Sequence, residues 1–354
     1  MELSYLGMDY PISMGRLKTY LMGELILMGK IWKPEVFQGR GKKKDYFEGW
    51  YFKSVSRDEK IAYAIIVGVS ITKKLNKSHA FVMFMDARNQ DLHYFKYPLS
   101  SFWANKEKFE IKIANNFFSL NGICLDIDDG HTKITAKMKF ENIFPWPVKK
   151  LSPGAMGIYA FIPFMECYHG VLSFNHSIKG YVEINKNKKD FTGGKGYIEK
   201  DWGSSMPSSW IWMQTNHFDE VDLSLFGSIA KIPWLGNYFT GYIFGLFHNK
   251  RLYKFTTYNG AKIEKLQVTD DNIKIRIVNK QLELQIDASR DEGVDIPAPK
   301  LGEMTAKVNE SLRSRINIKL FRKNKKEKLL ILSGTGRNAG LEFVGDLNEL
   351  LKGF

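Results

Sequence analysis

The residues most able to do chemistry concentrate in three short segments. In Phe47-Glu-Gly-Trp-Tyr-Phe-Lys53, a period of two sets Glu48, Trp50 and Phe52 on one face of a strand. A carboxyl group beside aromatic rings loses hydration, its pKa rises, and it can hold a proton near neutral pH. The structural alternative is a Glu48 that pairs with a Lys or Arg at the end of a barrel. In Gly196-Tyr-Ile-Glu-Lys-Asp-Trp-Gly203, Tyr197, Glu199 and Asp201 share one face, and Lys200 and Trp202 take the other. In Trp210-Ile-Trp-Met-Gln-Thr-Asn216, Trp210, Trp212, Gln214 and Asn216 lie on one face. Aromatic walls with a few fixed hydrogen-bonding groups suit an apolar ligand with a polar head. Core packing explains the tryptophans equally well, but explains Gln214 and Asn216 beside them less well. Tyr168-His169-Gly170 and Asn175-His176 add hydrogen-bond donors and general bases.

Several other chemistries are excluded. The chain has no HExxH, no P-loop and no GxSxG elbow. Its two cysteines, Cys124 and Cys167, form no CxxC, so neither a disulfide framework nor a structural zinc site is expected. The seven histidines show no i, i+4 pair, and neither a metal nor a cofactor is expected. The glycine-rich stretch 334–340 is expected to be a turn between strands, and Asp126-Ile-Asp-Asp-Gly130 a hairpin tip.

The elements that must position these residues are strands. Segments such as Phe109-Glu-Ile-Lys-Ile113, Ile273-Lys-Ile-Arg-Ile-Val278 and Leu282-Glu-Leu-Gln-Ile286 alternate strictly. Asp129-Gly130, Asn185-Lys-Asn187, Asn259-Gly260 and Arg290-Asp-Glu-Gly293 give hairpin signals between them. Helical periodicity is confined to a tail over 346–352. The class is all-β. Sliding the chain against itself by 160 residues lays Trp50 on Trp210 and Phe52 on Trp212, with further matches at Phe84/Phe244 and Phe95/Phe255. The expectation is therefore an internal duplication: two tandem antiparallel β-barrel or sandwich units over 30–204 and 205–354. They would join through the turn-forming Gly203-Ser-Ser-Met-Pro-Ser-Ser209. Residues 1–29 read as a poorly ordered extension, with the folded part beginning near Met28.

With 44% hydrophobic residues in 354, the chain can bury substantial cores. No apolar run approaches the ~20 residues of a membrane helix, and the first 30 residues lack the pattern of a secretory signal. These features predict a cytoplasmic protein. Its net charge of +14 sits in runs such as Lys42-Lys43-Lys44, between apolar segments. With no nucleic-acid fold signature present, this favours solvated loops over a nucleic-acid partner. The surplus also suits transient, peripheral contact with an anionic membrane surface.

Four motifs carry a family resemblance: Trp32-x-Pro34-Glu35-x-Phe37-Gln38-Gly39, Phe47 to Lys53, Tyr168-His-Gly-Val-Leu172, and Glu199-Lys200-x-Trp202-Gly203. The last continues through Pro207, Trp210, Trp212, Gln214, Asn216 and Phe218. They resemble the tocopherol cyclase family, whose members resemble lipocalin-like carotenoid hydratases. That resemblance implies lipocalin-like units and closure of a chromanol ring on a prenylated hydroquinone, without a cofactor. It implies a proton donor among Glu48, Glu199 and Asp201, with Glu48 ranked first. Trp50, Phe52, Trp202, Trp210 and Trp212 would form the walls. His169, Asn175, Gln214 and Asn216 would contact the head group. Where relatives often carry Asn before the Trp-Gly pair, this chain has Asp201. Two other functions fit the same residues: a hydratase or isomerase of another isoprenoid or lipid double bond, and a non-catalytic carrier of an apolar ligand.

Overall fold

Because apolar and polar residues alternate along most segments, each strand can present one face to a core and the other elsewhere. The computed structural model describes residues 30–324 and 327–353. The extension 1–29, including the expected start near Met28, lies outside the described residues. The strands form two large antiparallel sheets, one of twelve strands and one of ten.

The first sheet runs in the order Asp91–Pro98, His79–Asp86, Ala62–Ile71, Tyr46–Val55, Lys195–Gly203, Cys167–Ile184, Lys133–Glu141, Gly122–Asp128, and then the short strands back to Phe102–Ala104. The second runs Arg251–Thr256, Asn237–His248, Ser224–Trp234, Trp210–Thr215, Lys328–Val344, Glu303–Lys323, Leu282–Ser289, Asn272–Val278, Lys262–Val268. In both, the strand that comes first along the chain pairs with the one that comes last, Tyr46–Val55 with Lys195–Gly203 and Trp210–Thr215 with Lys328–Val344, so the two orders correspond. Each sheet encloses its own apolar core, around Trp50, Phe52 and Phe84 in one and around Ile211, Met213 and Phe244 in the other. A third core, with Tyr51, Tyr197, Trp210, Trp212 and Leu312, lies between them.

The structure departs from the sequence reading in four places. Trp50 faces the interior of the first sheet, whereas Trp210 and Trp212 face the layer between the sheets. The 160-residue alignment therefore matches strands but not faces, since a one-residue slip inverts every side chain. Asn259-Gly260 closes a 3-10 helix (Thr257–Asn259), and the segment after Arg290 joins strands that do not pair with each other. The stretch 334–340 lies inside the strand Lys328–Val344 rather than in a turn. Its glycines serve packing: a Cβ on Gly336 would sit 2.4 Å from Thr215, and one on Gly340 would sit 2.5 Å from Trp212. The C-terminal tail is helical over Leu347–Leu351, capped by the Asp346 side chain accepting from the Asn348 amide.

Candidate active site between the sheets

Strand alternation builds this site. On Tyr46–Val55 the residues Phe47, Gly49 and Tyr51 point into the inter-sheet layer. Glu199 and Asp201 do so from Lys195–Gly203, and His169 from Cys167–Ile184. The second sheet answers with Trp210 and Trp212 on Trp210–Thr215, Glu310 on Glu303–Lys323 and Glu342 on Lys328–Val344. Together they border a cavity of about 180 Å³. The rest of its wall is largely apolar, and Met83, Met156, Met165, Met206 and Met304 give it an adaptable surface.

The polar groups are cross-linked between sheets. Tyr51 Oη of the first sheet donates to Glu310 Oε1 of the second. Trp212 Nε1 of the second donates to Glu199 Oε2 of the first at 3.0 Å, and Tyr197 Oη reaches the same oxygen at 2.5 Å. Trp210 Nε1 donates to Glu342 Oε2 at 2.6 Å. The His169 ring stacks on Phe226, with Nδ1 2.8 Å from Asp201 Oδ1 and Nε2 3.6 Å from Glu199 Oε2. Glu310 Oε2 is buried without a partner.

Burial sets the protonation states. It pushes Glu199, Glu310 and Glu342 above the usual carboxylate range, and the acids reinforce one another: Asp201 acts on Glu199, Glu199 on Glu310, and Glu310 on Glu342. Burial opposes charge on His169, but Asp201 and Glu199 outweigh it and raise its pKa to about 9. The imidazolium therefore persists at neutral pH, while across the cavity Glu310 and Glu342 retain protons. His169, Glu199 and Asp201 could each offer one ligand atom to a cation, all within 4.8 Å of one another. The hydrogen bonds that Glu199 Oε2 accepts from Tyr197 and Trp212 work against its proton, and the contact of His169 Nδ1 with Asp201 favours the imidazolium.

Residues 115–345 match the family described as Tocopherol cyclase-like. The chain belongs to that family. Among curated tocopherol cyclase relatives, it is 21% identical over 274 residues to "Probable tocopherol cyclase, chloroplastic" of Oryza sativa subsp. japonica, covering 62% of this chain and 58% of that protein. It is 22% identical over 274 residues to "Tocopherol cyclase, chloroplastic" of Zea mays, covering 62% and 57%. The match thus spans under three-fifths of each relative. The solved structure of CghA with Sch210972 shares the fold at TM-score 0.54 and 9% identity, covering 85% of this chain and 89% of that one. Among the described residues no helix is long and apolar enough to cross a membrane.

Within this tocopherol cyclase-like chain, the expected site residues separate into three groups. The cavity gathers His169, Glu199, Asp201, Trp210 and Trp212. Glu48, Trp50, Phe52 and Trp202 lie on the opposite face of their strands, in or against the first sheet's own core. There Glu48 is fully buried and bonded to Lys200 Nζ at 2.6 Å, the Gln38 and Gly39 amides and the Tyr46 hydroxyl. That is the ion-paired alternative, and it leaves the carboxylate no route to the cavity. Trp202 stacks on Tyr168, with the Lys200 ammonium over its ring. Gln214 Oε1 holds the buried Lys53 at 2.7 Å, while Asn216 Nδ2 donates to Asn175 Oδ1 and to the Gly196 carbonyl. These amides brace the junction beyond the cavity. The sequence reading missed Tyr51, Glu310 and Glu342. A signal was present: Glu310 lies in alternation with the buried Val308 and Leu312, where a core-facing residue should be apolar.

Proposed function

We propose that the inter-sheet cavity closes a ring on a prenylated hydroquinone by protonating its trisubstituted double bond. The observation that carries this reading is Glu310, a cavity carboxyl with a raised pKa and an oxygen that has no other partner. Such an acid, kept neutral by a dry surrounding, is what alkene protonation needs. Glu310 Oε2 gives its proton to the less substituted alkene carbon. Positive charge develops on the tertiary carbon beside the faces of Tyr51, Trp210 and Trp212. The phenol oxygen bonds to that carbon and its proton returns to a cavity carboxylate, so one proton is taken and one released. His169, held by Asp201, and Glu199 are placed to orient the phenol. Family membership supports the reaction class, and the methionine-rich wall suits an isoprenoid tail.

Turnover of a prenylated hydroquinone in deuterium oxide tests the reading. The expected product is a chromanol carrying one carbon-bound deuterium. Glu310→Gln should lower the rate by roughly a hundredfold while the substrate still quenches tryptophan fluorescence. Undiminished turnover in that variant, or a substrate that never quenches, overturns it.

A further inference from the structure

One side of the cavity wall is formed by two segments whose outer surfaces are apolar. Residues 143–165 contribute Tyr159 and Met165 to the cavity, and residues 229–243 contribute Ile232 and Phe239. The same segments expose Ile158 at 54%, Phe164 at 57% and Leu235 at 81%, and Phe161 and Tyr238 are exposed too. Ring contacts around Tyr159 and Trp234 tie the two segments together. The Phe164 ring lies 5.5 Å from Trp234, Tyr159 touches both Trp234 and Phe239, and Trp32 packs edge-on against Phe161. An exposed apolar face of this kind marks an interaction surface.

The hairpin tip is informative. Leu235 and Gly236 both have positive φ, 46° and 82°, the geometry of a type I′ turn. Asn-Gly is the sequence that turn favours, because Asn tolerates the left-handed region and a branched apolar side chain does so at a cost. This chain instead places a leucine there, pointing outward. Charge narrows the choice of partner. Neither segment contains an Asp or Glu, while Lys149 and Lys150 are exposed at its margin and the Lys150 carbonyl accepts from Trp32 Nε1. Lys231 pairs with Glu349 at 2.8 Å, and the exposed Lys149 and Lys150 give this aromatic and aliphatic face a surplus of lysine that complements the headgroup layer of an anionic bilayer.

We propose that this face docks on an anionic lipid bilayer, so that the segments walling the cavity are seated in the lipid from which an apolar substrate would come. Only that last clause rests on the function proposed above; docking itself stands without any substrate.

Flotation of the full chain with vesicles, with no substrate added, tests the docking alone. Binding should be stronger to phosphatidylcholine mixed with phosphatidylglycerol than to phosphatidylcholine alone. Leu235→Asn combined with Phe164→Ser should weaken it about tenfold. Asn fits the turn geometry, so Leu235→Asn alone should keep or raise the melting temperature while still weakening binding. Lys149→Glu with Lys150→Glu should weaken binding to the anionic vesicles selectively. The proposal is overturned if the apolar variants bind undiminished, or if neutralising Lys42, Lys43 and Lys44 has the same effect as changing Lys149 and Lys150. It is also overturned if light scattering shows a dimer that the apolar variants dissociate, since the face would then serve a second copy of the chain.

Discussion

Glu310 and Glu342 are direct cross-strand partners in the pairing of Glu303–Lys323 with Lys328–Val344. Two carboxylates so placed would repel, and burial adds to the difficulty of charging them. The fold accommodates the pair by keeping protons on it and by supplying a separate donor to each, Tyr51 from the opposite sheet and Trp210 from the same one. The juxtaposition is unfavourable for stability and useful for acid chemistry.

The pair makes stability depend on pH in a stated direction. Both acids have folded pKa values above their unfolded ones, that of Glu310 at about 8. Their protonated forms fit the fold, so the pair's contribution to stability is complete below the ordinary Glu value and is lost as pH rises through the raised one. Glu342→Gln should flatten this decline and stabilise the protein at alkaline pH by roughly 1–3 kcal/mol. Urea unfolding at several pH values measures it, and an unchanged slope would show that Glu342 is charged in the folded state.

The Glu48–Lys200 pair is expected to behave as structure. Both side chains are fully buried, and Lys200 also bonds the Pro34 and Val36 carbonyls while lying over Trp50 and Trp202. Glu48→Ala strands the ammonium and should cost about 3–5 kcal/mol. Replacing both residues with Met should recover most of that loss. Melting temperatures of the two variants decide the matter.

His169 should titrate high because of its neighbours. Its raised pKa, about 9, means that its contribution to stability is complete below the ordinary histidine value and is lost as pH rises through the folded one. Asp201→Asn removes the partner at 2.8 Å and should move the imidazole titration down. NMR of the ring protons follows this directly, and an unmoved titration would assign the shift to Glu199 instead.

Gly340→Ala tests the seat of Trp212. The added methyl would lie 2.5 Å from the ring, so the indole must move from its place against Glu199. Overpacking of this kind costs about 1–3 kcal/mol, and ligand-induced tryptophan quenching should fall with it. Full quenching with unchanged stability would mean that the ring has room to shift.

Much of this protein was determined locally. Period-two alternation specifies strands, and it correctly divides Tyr197, Glu199 and Asp201 from Lys200 and Trp202, because successive side chains on a strand leave opposite faces. The motifs around Tyr168 and Glu199 are likewise plain in the chain and fall inside the residues that match the family, 115–345. Alternation does not say which face meets which space. Glu48 and Glu199 both stand beside aromatic residues in sequence, yet one faces the first sheet's own core and finds Lys200, while the other faces the second sheet and finds Trp212. Only the tertiary structure settles that, because the proton-holding site needs strands nearly 300 residues apart. Tyr51 reaches Glu310 only when two separately formed sheets are laid together. The burial that raises the acids' pKa values belongs to that contact, not to either strand alone.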